Sequence, residues 1–215
     1  MLNQQYSNVV AVSEEHGGLG AQRELSPFLT AADEFTDPIA NMALSVDDDL
    51  CIMQATGEQR LVAGCVCSPS YWNLQSKIGK PLRHIHGPVI SMNEKIGDPI
   101  ERFINRAPLL QPFERINWFI HGDSQRWHPV EEPLPQTPVA TWHIRSERET
   151  LCRYSDEHLL FTINTRFQPL AAIVDYPKAQ ADLRATLMNL DTDEVDYFGG
   201  PDKCEMLIGY LESLL

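Results

Sequence analysis

Cationic side chains are scarce in this chain: 17 Lys and Arg face 30 Asp and Glu, giving a formal net charge of -13. Surfaces for nucleic acid or anionic lipid need clustered Lys and Arg, so the balance argues against both partners. No run of about 18 apolar residues is present to span a bilayer. The N-terminal stretch MLNQQYSNVVAV lacks the basic region, apolar core and small-residue cleavage site of a secretory signal, so a cytoplasmic location is expected. The five cysteines, an odd number, contain no C-x-x-C pair, which removes the zinc-ribbon and iron–sulfur ligand sets and leaves reduced thiols as the expectation. There is no G-x-G-x-x-G, no internal repeat and no low-complexity tract.

What is present suits a single domain: 215 residues with 43% apolar content can bury one core. Residues 1–25 mix Gly17, Gly18 and Gly20 with polar residues and read as a flexible arm, leaving 26–215 as the domain. From Ser26, an N-cap followed by Pro27 predicts a short helix. Leu50 to Gln54 and Arg60 to Cys67 predict a hairpin, and Pro99 to Leu110 a helix with Ile100, Phe103, Ile104 and Ala107 on its buried side. Arg115 to His121 alternates as a strand, and the proline-rich stretch from His121 to Pro138 reads as a lid or subunit contact. Three strands (Thr141 to Ser146, Thr150 to Tyr154, Leu159 to Phe167) and two helices (Ala179 to Leu190, Cys204 to Leu214) complete the chain. That order predicts an α+β fold built on an antiparallel sheet with flanking helices.

The richest chemistry lies between Cys65 and Ile90. Two cysteines, two histidines, Trp72, Lys77 and Arg83 fall within it, and Pro69, Gly79, Pro81, Gly87 and Pro88 exclude a continuous helix. A strand end, a loop and a short extended piece are expected. On a strand Cys65 and Cys67 share a face, as do His84 and His86 if their segment is extended. Cys65 and Cys67 read as small hydrophobes rather than ligands, and Trp72, Trp118 and Trp142 as core or pocket walls. Arg145, Glu147 and Glu149 share one strand face, with Arg148 opposite.

Cys65, Ser68-Pro69-Ser70, Trp72, Lys77, Gly79 and Ile85-His86-Gly87-Pro88-Val89 together resemble the signature of the haem-dependent oxidative N-demethylase family. Arg115-Ile116-Asn117-Trp118, and Arg145-Ser146-Glu147-Arg148-Glu149-Thr150-Leu151 followed by Phe161-Thr162-Ile163, resemble it too, in order and spacing, from about Ala40 onward. Two positions depart from the pattern, Ile90 in place of proline and Glu149 in place of glutamine. The resemblance implies a PAS-like sheet holding haem b, with His86 as the iron ligand and His84 as the fallback. It implies Arg145, Lys77 and Trp118 as further cofactor-binding residues. It also lifts Glu147 and Arg148 as catalytic candidates, a carboxylate being able to hold a protonated amine or relay protons.

The reaction the resemblance implies is removal of a methyl group from a small amine such as dimethylamine, with O2 and formaldehyde release. Two electrons must come from a separate reductase, because the chain has no flavin or iron–sulfur motif. A homo-oligomer is compatible with the sequence. Two other readings stay open: a PAS-like haem sensor or carrier without turnover, and a cupin-type non-haem metal oxygenase in which Glu94 and His121 complete the His84-x-His86 pair.

Overall fold

The computed structural model describes residues 10–12, 37–87 and 90–214, with side chains described from residue 37 onward except at 90–93. The helix expected from Ser26, and most of the expected arm, lie outside the described residues. Val10–Val12 (β1), within that arm, is a strand. A short helix, Pro38–Ala43 (α1), precedes the hairpin of β2 (Asp49–Gln54) and β3 (Leu61–Cys65). After two one-turn helices, Leu74–Lys77 (α2) and Leu82–Ile85 (α3), comes the longer helix Ile90–Arg106 (α4). Strands β4 (Phe113–His121), β5 (His143–Arg153) and β6 (His158–Pro169) lead to the helices α5 (Pro177–Met188), α6 (Thr192–Phe198) and α7 (Pro201–Ser213).

The six strands form one antiparallel sheet in the order β1-β3-β2-β6-β5-β4, with helices around it, an α+β architecture as expected. One face of β2 and β6 is apolar: Cys51, Met53 and Leu159 pack with Leu74, Leu82 and Ile104 beneath α2, α3 and α4. At the β4 end a second cluster joins Ile120, Trp142 and Leu170 to Leu187, Phe198, Leu207 and Leu211 of α5, α6 and α7. A third, smaller cluster sets Ile39 and Ala40 of α1 on Leu50, Ala63 and Cys65.

Four expectations are corrected. The strands expected at 141–146 and 150–154 are one, β5, because Arg145, Glu147 and Glu149 are buried on the sheet and the polar run between the two apolar patches therefore does not mark a turn. Helix α4 begins nine residues before Pro99 and continues through it; one lost N–H is tolerated where tertiary packing holds the helix. Phe103, placed on the buried side, is 46% exposed against Phe113. The C-terminal pair of helices is a trio: Asp191 and Glu194 form a capping box that starts α6, and Gly199, at φ 115, ends it in the left-handed conformation that favours glycine.

Candidate functional site

Continuing along the same face of the sheet, the apolar floor gives way to charge on β5 and β4. The register sets Glu149 opposite Arg115, Glu147 opposite Asn117 and Arg145 opposite Phe119, while Thr165 and Phe167 flank from β6. Arg145 is buried, at 1% exposure; its Nε and Nη2 bond within the protein, whereas its Nη1 has no partner. Its Nε donates to Glu147 Oε1 at 2.8 Å, its Nη2 to the Ser68 carbonyl and to Thr165 Oγ1 at 3.3 Å, and its guanidinium lies 5.7 Å from the Phe167 ring centre. Asn117 Nδ2 donates to the other Glu147 oxygen at 3.1 Å, and its own Oδ1 accepts from the Trp118 N–H at 2.9 Å, which fixes the amide's orientation.

Glu149 is also buried, but it is held differently. It pairs with Arg115, whose side chain is 59% exposed on the edge strand. Burial raises its carboxyl above the ordinary range, the Arg115 hydrogen bond and charge pull it back, and neighbouring Glu147 pushes it up again. Tyr197 of α6 feels both carboxylates; burial and their two negative charges raise its phenol. Yet Tyr197 is 52% exposed. Its ring lies 6.3 Å from that of Phe119, which shares a face of β4 with Arg115 and Asn117.

His86 comes near Arg115 from the sequence's central stretch. The expected extended segment is instead the one-turn helix α3, which His86 caps, because Pro81 starts a turn that the carbonyls of Pro81 and Leu82 close. His84 is consequently exposed while His86 is half-buried, so the two do not share a face. Burial and the charges of Arg115 and Lys77 hold the His86 imidazole down to about 4, neutral through the physiological range. Lys77 Nζ donates to the Ile85 carbonyl at 3.1 Å and so fixes the end of the helix that carries His86.

A family model described as haem-dependent oxidative N-demethylase, alpha subunit-like, matches residues 2–205. The chain belongs to this family. No curated protein matches it. The family match reaches into the N-terminal residues, well beyond the stretch from Ala40 in which the resemblance is visible by motif.

Against the family's motifs, the structure sets Arg115, Asn117, Glu147 and Glu149 together on one face of β4 and β5, with His86 near enough to feel the charges of Arg115 and Lys77, and leaves others out. Arg148 lies on the opposite face of β5, 4.0 Å from both Asp48 and Glu114. Trp118, on the outer face of β4, meets Phe198 edge-on at 5.8 Å. Arg145, buried, underlies Glu147. Nor do His84, His86, Glu94 and His121 assemble as a cupin-type set. Among the described residues, the group whose possible ligand atoms lie within 4.8 Å of one another is Asp123, His128 and Glu132.

Two neighbours of the site escaped sequence reasoning. Asp49 accepts the N–H of Cys67 at 2.6 Å and of Ser68 at 3.1 Å, anchoring the loop that supplies Arg145's carbonyl partner; burial raises its carboxyl to about 6. The stretch expected as a lid lies over that loop, where the Tyr71 N–H bonds the His128 carbonyl at 2.8 Å. There His121, buried, holds Ser70 Oγ at 3.1 Å through Nε2, and His128 lies between Glu132 at 2.8 Å and Asp123 at 3.2 Å. Tyr71 contacts both rings from a φ of 58, a conformation uncommon outside glycine, and nothing in its side chain announces that constraint.

Proposed function

We propose that this chain is a catalytic haem subunit that removes a methyl group from a small secondary or tertiary amine, His86 being the iron ligand. The single observation that carries the reading is the state of His86: a neutral, half-buried imidazole near Arg115, the partner of the buried Glu149. The residues present fit the cofactor. A neutral imidazole is the form that ligates iron, and Lys77 near it is a cation that suits a propionate. Bound haem supplies the oxygen chemistry, with electrons from a separate reductase. The chain itself holds Glu147 as a fixed anion through Arg145 and Asn117, orients His86 through Lys77, and offers Tyr197 as an aromatic wall for an alkylammonium ion. The antiparallel sheet is compatible with a PAS-like haem domain, and the alpha-subunit description of the family supports a partner subunit.

The test is direct. Protein supplied with haem should show a Soret band that shifts or disappears in His86→Ala. Chemically reduced, haem-loaded protein given oxygen and a panel of methylamines should release formaldehyde. A spectrum indifferent to His86→Ala sinks the ligand assignment. Intact haem binding without formaldehyde from any amine replaces the demethylase with the sensor reading.

A further inference from the structure

We propose that Glu149 and Arg115 form an exchangeable ion pair in which a small alkylammonium ion takes the place of the guanidinium. The inference rests on the demethylase reading for the class of ligand, but its geometry stands apart from it. Two carboxylates sit side by side on β5 with partners of opposite character. Glu147 has one oxygen bonded by Arg145, itself 1% exposed and tied to Ser68 and Thr165, and the other by Asn117, whose amide is pinned to its own strand. Neither donor can leave without stranding buried polar groups, so Glu147 is not available to an incoming cation. Glu149 is as deeply buried, at 5% of its side chain, but its cationic partner is Arg115, which is 59% exposed and reaches in from an edge strand.

That asymmetry decides which pair can open. When Arg115 swings away its guanidinium passes into water, where a charge is well solvated, while Glu149 is left buried beside the negative Glu147 and must be matched by another cation or a proton. A protonated small amine meets the requirement and fits the surroundings, with Glu149 as counter-charge, the Asn117 amide between the two carboxylates, and the Tyr197 ring as a face for its methyl groups. Arg115 also lies close enough to His86 for its charge to lower the imidazole's basicity. Arg115 thus fills the substrate position when no amine is there and keeps the buried carboxylate neutralised. Guanidinium and dialkylammonium compete for one seat.

The experiment measures binding without turnover: calorimetric titration of dimethylammonium chloride into full-length, haem-loaded, oxidised protein, with tetramethylammonium as a second probe. Glu149→Gln, which keeps the shape and removes the charge, should weaken dimethylammonium binding about tenfold or more, at an unchanged Soret band. Arg115→Ala removes the competitor and should tighten binding severalfold. Unchanged affinity in Glu149→Gln, weaker affinity in Arg115→Ala, or no amine binding by the wild-type protein each overturns the exchange. The two proposals fail separately. Glu149-dependent binding without formaldehyde leaves this one standing and removes the demethylase, whereas formaldehyde production with Glu149-independent binding does the reverse.

Discussion

Replacing Arg145 by methionine tests whether its guanidinium belongs to the fold or to a cofactor. The side chain is 1% exposed, so the volume is kept by methionine while the charge is lost. Glu147, 9% exposed, is then left beside Asn117 alone, and removing one partner of a buried pair costs about 3–5 kcal/mol. The Ser68 carbonyl and Thr165 hydroxyl lose a donor as well, so the loss should fall in the upper half of that range, a large part of the roughly 5–15 kcal/mol that holds a domain together. Urea unfolding at pH 7 measures it. The double variant Arg145→Met with Glu147→Leu has no stranded charge, and should recover to within about 1–2 kcal/mol of wild type. Haem-free and haem-loaded protein should lose the same amount in the single variant. A loss under about 1 kcal/mol, a double variant no better than the single, or a loss confined to the haem-loaded form refutes the structural account of Arg145.

Two further outcomes depend on buried titrating groups. Asp49 has its carboxyl raised from 3.8 to about 6 by burial, so its ionisation costs folding free energy. A raised acid contributes stability that is complete below its unfolded value and lost as pH climbs through about 6, at most about 3 kcal/mol here. Asp49→Asn should therefore gain on wild type between pH 4 and 7 in urea unfolding; a pH-independent difference contradicts this. Lys203 shows the opposite sign: burial lowers its ammonium to about 8, though its Nζ donates to the Ile120 carbonyl at 2.6 Å and lies 4.3 Å from the centre of the Phe119 ring. Wild type should gain on Lys203→Met as pH rises from about 8 to 10. A constant difference over that interval rejects a desolvated lysine.

Much of the sheet was legible because strands with one buried face write a period of two. The hairpin, β4, and the shared face of Arg145, Glu147 and Glu149 all follow from alternation. The same alternation separates Arg148 and Trp118 from Glu147, yet a motif reading lumps them together, since adjacency in a motif says nothing of which way side chains point. The turn at His86 was misread because Pro and Gly announce a break without saying what fills it; one helical turn between Pro81 and Gly87 is as consistent with that punctuation as an extended piece. Asp49's bond to Cys67, 18 positions on, and the approach of Tyr71 to the rings of His121 and His128, 50 and 57 positions on, were illegible in principle, because the chain's path alone brings them together.

Strand β4 lies at the end of the sheet, where backbone groups on its outer side would ordinarily be open to another chain. Along its second half two of them are already taken. The Trp118 N–H is capped by the side chain of Asn117, and the Ile120 carbonyl by the ammonium of Lys203. A visiting β-strand finds that donor and that acceptor occupied, so pairing there competes with the amide that steadies Glu147. The residue that steadies the site also keeps its border closed to uninvited strands.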